Sequence, residues 1–135
     1  MPTNPIHGPA SPDGHYTIDV DEPNRTVRVV TRGFWDKSAV KVFYAELDMV
    51  LKSCRARYGK IKVMSDARSL AVQSLDVNAL LAESHPYKNG DKVAVVFASS
   101  LAKMAARRNQ VVISDPSLEW NVFSTVEAAE TWLNG

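Results

Sequence analysis

The chain has 135 residues, enough for one domain, and its 45% apolar and 23% charged content excludes an intrinsically disordered protein. A net charge of +1 leaves no overall field to draw in nucleic acid or an anionic membrane. The single cysteine, Cys54, excludes an intrachain disulfide and a multi-cysteine zinc site, and no apolar run reaches the roughly 18 residues of a membrane span.

Residues 1–14, MPTNPIHGPASPDG, hold four of the seven prolines and no periodic apolar pattern. They read as an extended arm outside the core. The arm has no Lys or Arg and no apolar stretch, so it does not read as a secretory leader, and the expected location is cytoplasmic.

HYTIDV alternates, with Tyr16, Ile18 and Val20 on one face, and TVRVVTRGFW follows across DEPNR. Two β-rich runs around a Pro- and Asn-containing connection predict a hairpin. Asp36 then caps a long helix whose stripe is Val40, Phe43, Leu47, Val50, Leu51, Cys54 and Tyr58, and Gly59 stops it. KIKVMSDA predicts a short strand that turns at Asp66. SLDVNALLAESH predicts a short helix capped by Ser74. DKVAVVFA is apolar without alternation, as a central strand buried on both faces requires. A helix is expected over residues 101–113, capped by Ser99 or Ser100, although its QVVI end also suits a strand. EWNVF is the last strand.

NVFSTVEAAETWLNG closes the chain. Ser124 and Glu127 have capping-box spacing, Phe123 sits where a hydrophobic staple begins, and Val126, Ala129, Trp132 and Leu133 follow at helical intervals. Trp132 is expected to be the core anchor that pins this terminal helix to the sheet. The whole is an α/β domain over residues 15–135: a hairpin, then β-α repeats, with a mixed, mostly parallel sheet of about five strands and four helices.

The residues GFWDKSAVKVFYAELDMVL, VMSDAR, DKVAVVFASSLAKMAAR and above all NVFSTVEAAETWL resemble the SpoIIAA-like branch of the STAS family, named for sulphate transporters and anti-sigma-factor antagonists. The resemblance spans about residues 15–133. It implies a non-enzymatic regulatory or protein-interaction module that works with a protein partner and forms a homodimer. It also maps the antagonists' phosphoacceptor serine onto Ser74, although VQSLD replaces the family's Asp-Ser-Ser-Gly stretch.

Ligands of open α/β sheets favour the crevice at the strand C-terminal ends. Here that edge carries Arg32, Phe34 and Trp35, then Asp66, Arg68 and Ser69, then Ser99 and Ser100. Caps and turns account for most of these residues. An edge with arginines and helix N-termini also suits a partner or a small anionic or hydrophobic ligand, which makes a carrier the alternative reading. A small hydrolase using Asp66, Ser69 or His85 is the second alternative. His7, His15 and His85 have no metal-ligand spacing, and no Gly-x-Ser-x-Gly elbow or glycine-rich phosphate loop occurs. The sequence therefore calls for no metal, no cofactor and no nucleic acid. The basic run from Lys52 to Lys62, with Lys103, Arg107 and Arg108, reads as a solvated face.

Overall fold

Among the described residues six strands form one sheet in chain order: β1 (Ile6–Pro9), β2 (His15–Asp21), β3 (Thr26–Gly33), β4 (Lys62–Leu70), β5 (Lys92–Val96) and β6 (Glu119–Phe123). The computed structural model describes residues 6–9 as backbone, and residues 15–71, 73–88, 90–98 and 118–135. β1, β2 and β3 pair antiparallel, and β3 through β6 pair parallel. The sheet has one strand more than the sequence suggests because residues of the arm pair with β2, Ile6 opposite Ile18 and Pro9 opposite His15. The surface that orders this part of the arm is the chain's own edge strand.

Three helices lie among the described residues: α1 (Lys37–Tyr58), α2 (Leu75–Glu83) and α3 (Val126–Asn134). The fourth helix expected from the sequence, over residues 101–113, lies outside the described residues. α1 begins where the sequence places it. Asp36 Oδ1 accepts from the Ala39 N–H at 2.7 Å, and Gly59, at φ 81°, ends the helix by donating its N–H to the Arg55 carbonyl at 2.8 Å. Its inner stripe of Ala39, Val40, Phe43, Leu47, Leu51 and Cys54 is buried.

α1 joins β3 to β4, and α2 joins β4 to β5. Crossovers between parallel neighbours are right-handed, so successive steps in one direction carry the chain over the same face. The two helices do share a face: Val77 of α2 packs in one cluster with the α1 stripe and with Val27, Val29, Val63 and Val93 of the sheet. α3 follows the last strand and is not a crossover. It packs on the opposite face, where Ala129 and Leu133 meet Met64, Ala94 and Val96.

The end of the chain differs in two respects from the sequence expectation. Thr125 caps α3, its Oγ1 accepting from the Ala128 N–H at 3.1 Å, so the cap is one residue later than Ser124. Trp132 is only partly buried, and Ala129 and Leu133 are the buried anchors. The indole lies along the rim of the sheet, 5.5 Å from the Phe123 ring. Lys92 places its ammonium 4.7 Å from the indole centroid and donates to the Trp132 carbonyl at 2.6 Å, while Lys62 donates to Asn134 Oδ1 at 2.9 Å. Two lysines thus meet the negative end of the helix dipole.

Among the described residues one ion pair has a fully buried partner. Arg55 holds Asp91 with two bonds, Nη2 to Oδ2 at 2.5 Å and Nε to Oδ1 at 3.2 Å, and Asp91 is 1% exposed. Arg55 also donates to the Pro86 carbonyl, and Asp91 Oδ2 accepts from the Lys88 N–H. The end of α1 is thereby locked to the start of β5. Much of the basic run is spoken for in this way: Lys52 pairs with Asp48 and Arg57 with Glu22. Lys103, Arg107 and Arg108 lie outside the described residues.

Removing one partner of a buried pair strands the other charge. Arg55→Met is therefore expected to cost about 3–5 kcal/mol in urea unfolding at neutral pH, whereas Arg57→Met, on the exposed side of the same helix, should leave the midpoint nearly unchanged.

Phenols report on the same core. Burial, with the Glu46 carboxylate nearby, pushes Tyr16 up to about 12. Burial also drives Tyr44 well above its ordinary value, and Tyr87 is raised by burial and by the Asp91 carboxylate. A phenol raised by folding contributes stability that is complete below the unfolded value of 10.0 and is lost as pH climbs through the folded one. In a Tyr58→Phe variant, which keeps these three of the four tyrosines, phenolate absorbance at about pH 11 should stay low until denaturant is added.

Candidate functional site

The strand C-terminal edge divides into two parts on opposite faces. On the α3 face, Val30 pairs with Asp66 but Arg32 pairs with Ser69, so β4 carries an extra residue. This bulge takes the Arg68 N–H out of the ladder. The Asp66 carboxylate takes it up, Oδ1 accepting at 3.1 Å. The Arg68 guanidinium closes the same ring, Nε to Oδ1 at 2.9 Å and Nη2 to Oδ2 at 2.7 Å. These bonds, and the field of Arg32 after them, hold the Asp66 carboxyl below its ordinary value despite its partial burial. β4 continues to Leu70, so Asp66 is not the strand end the sequence suggests, although it is the last β4 residue paired to β5.

On the α1–α2 face, the chain leaves β3 through Gly33. Its φ of 84° is a left-handed conformation that suits glycine, and it turns the next residues out of the sheet plane. Trp35 is then buried at 3% exposure. Its ring meets Phe43 edge-on at 5.2 Å and Tyr16 at 5.8 Å, and its Nε1–H donates to the Arg32 carbonyl at 2.9 Å. Trp35 is therefore a core residue, which corrects its expected place on the edge.

Gln73 organises this corner and was not legible as a site residue, because a glutamine before a helix cap ordinarily reads as solvated loop. It is buried. Its Oε1 accepts from the Trp35 N–H at 2.8 Å, and its Nε2 donates to the carbonyls of Gly33 at 3.0 Å and Ala71 at 2.6 Å. Phe34 lies between the two β3-side residues that Gln73 holds. Ser74 follows Gln73 and caps α2, its Oγ accepting from the Val77 N–H at 3.2 Å. Leu75, at the first position of α2, is 88% exposed, and Phe34 is 49% exposed. Lys37 and Asp76 bridge the two helix starts at 3.8 Å.

The structure thus groups Arg32, Asp66, Arg68 and Ser69 on one face, and Phe34 with Ser74 on the other. Ser99 and Ser100 lie outside the described residues. A groove of about 50 Å³, lined in part by Arg28, Met64 and Glu130, lies at the other end of the strands, beside the β2–β3 turn.

No protein-family model and no curated protein matches the chain. A solved structure does, over 98% of both chains: an uncharacterised protein of the DUF3478 family with a SpoIIAA-like fold from Shewanella loihica PV-4, 21% identical, at a TM-score of 0.56. At that identity the likeness is one of fold, and the fold of the present chain is SpoIIAA-like.

Arg68→Ala should let the Asp66 carboxyl rise toward the ordinary aspartate range, read as the pH midpoint of its side-chain carbon resonance. Because the native carboxyl is depressed, its contribution to stability is present above the unfolded value and lost as pH falls through the folded one. An unchanged midpoint would show that Arg68 does not hold the carboxylate in solution.

Proposed function

We propose that the protein is a non-enzymatic interaction module that recognises a protein partner at the corner formed by Phe34, Ser74 and Leu75, and that it also self-associates. The observation that carries this reading is the exposure of two large apolar side chains, Phe34 and Leu75, at the starts of two adjacent helices. Isolated exposed apolar residues are common. Here a buried glutamine network fixes the backbone beneath both, which presents them as a rigid pair. Arg32, Arg68 and Ser69 lie on the opposite face of the sheet, outside this surface.

Two features weaken the alternatives. Asp66, the carboxylate best placed for acid–base work, has both oxygens engaged by Arg68 and is held in its ionised form, a poor proton acceptor near neutral pH. Trp35, the stacking platform a carrier would use, is packed in the core. A cytoplasmic setting suits Cys54, a buried thiol that burial pushes up and so keeps unreactive.

The test is affinity capture with a tagged chain, comparing the native protein with a variant carrying Phe34→Ser and Leu75→Ser. Both sites are exposed, so circular dichroism should be unchanged. Captured partner should fall at least about tenfold, the loss that two anchors of a modest hot spot would give. The same partners captured in the same amount by both chains would refute the reading.

A further inference from the structure

α1 carries a second stripe, on the side away from the core. Ser38, Val42, Ala45, Met49, Lys52 and Ala56 recur at alternating intervals of four and three, and all are exposed. Met49 is 71% exposed and Val42 49%. The helix needs none of them to pack on its own sheet. The spacing is that of a seam against another helix. Small side chains on either side of Met49 would let a second backbone approach closely.

The charges beside the stripe are sorted by side. At about 100° of turn per residue, Asp48 and Lys52 flank Met49 on one side, with the exposed Lys41 two turns before them, and Glu46 and Arg57 flank it on the other. Lys52 meets Asp48 at 2.9 Å while its side chain stays 67% exposed. Arg57 is turned to Glu22, and Glu46 lies toward Tyr16.

We propose that this ridge is where a second copy of the chain docks, α1 against an antiparallel α1, with the twofold axis at Met49. In that register Met49 meets its own copy. Val42, seven residues before the axis, meets the partner's Ala56, seven residues after it. Ala45 lies level with the partner's Ser53, so small side chains occupy that height of the contact on both helices.

Charge selects this orientation. In an antiparallel twofold pair, each flank of the ridge meets the same flank of the copy, running the other way. Lys52 then lies only two residues, about 3 Å in axial offset, from the partner's Asp48 across the roughly 8–10 Å between packed helix axes, so the partner's carboxylate is a second counter-charge beside its own Asp48. The two carboxylates come together at the axis with a lysine beyond each, and the group of four is neutral. A parallel in-register pair would instead set opposite flanks together. Asp48 would then face the partner's Glu46, and Lys52 would have the partner's Arg57 on its side, both like-charge juxtapositions.

The size of the ridge sets the strength of the contact. From Ser38 to Ala56 it runs about 27 Å at 1.5 Å per residue. At about 10 Å wide it buries on the order of 500–600 Å² over both copies, below the roughly 1,200 Å² of a stable complex. Association is therefore weak and rises with concentration. The assignment deepens the self-association proposed above and is independent of the Phe34–Leu75 corner.

Mild oxidation of a Met49→Cys variant tests it. Two copies of a residue on the axis lie within disulfide reach, whereas two copies of residue 56 lie about 21 Å apart along the helices. Met49→Cys should form a covalent dimer at least about tenfold faster than Ala56→Cys, and the native chain, whose Cys54 is buried, should form none. A mixture of Val42→Cys and Ala56→Cys chains should cross-link where neither does alone. In the Met49→Cys background, chains carrying Asp48→Lys and chains carrying Lys52→Glu should each dimerise several-fold more slowly by themselves. Mixed, they should cross-link preferentially to one another. Equal rates for Met49→Cys and Ala56→Cys, or no preference in the charge-altered mixture, would overturn the assignment, including in favour of a different protein on this face. Cross-linking that persists in the Phe34→Ser, Leu75→Ser chain, with partner capture lost, would keep the two surfaces separate.

Discussion

β3 and β4 lie side by side and parallel, and the chain between them must climb back along the sheet before the second strand can begin. α1 makes that climb. Its buried stripe covers Val27, Val29, Val63 and Val93, and the right-handed sense of the crossover decides which face of the sheet it covers. α2 repeats the step over the same face. The starts of both helices therefore gather at the C-terminal ends of the strands, and α3, free of a crossover, is left the other face.

The corner at the helix starts depends on that arrangement. Gly33, Trp35, Ala71 and Gln73 come from different turns of the chain, yet their backbone and amide groups satisfy one another with little recourse to solvent. A buried amide with three bonds to backbone specifies one loop geometry, because any shift leaves an unpaired group in a low-dielectric site. This explains how two exposed apolar side chains can be presented without the loops collapsing over them. On the opposite face the bulge in β4 works similarly: it frees one N–H, and the carboxylate two residues back claims it along with the guanidinium of the same residue. A group that looked available for chemistry is instead part of the turn.

The two proposed surfaces lie on distinct parts of the molecule. The corner is at one end of α1, and the outward ridge runs along its length, on the side facing away from the sheet. A single helix can serve both because its inner stripe alone suffices to hold it in place. A weak symmetric contact and a separate partner site would let a second chain join without blocking the first.

Much of the local structure was legible in the amino acids. Asp36, Ser74 and Gly59 act as the caps their chemistry predicts, and the inner stripe of α1 follows its 3.6-residue period, because caps and periodicity are written within a few residues of sequence. The parallel order of strands followed from the alternation of strands and helices. Tertiary structure alone decided the rest. Pairing of Ile6–Pro9 with β2 depends on an edge that exists only once the sheet is built. Burial of Trp35 and partial exposure of Trp132 depend on which neighbours arrive from distant parts of the chain, since an indole has the same appetite for burial in either place. Gln73 is ordinary in sequence and central in space, because the three carbonyl and amide groups it satisfies are brought to it by folding.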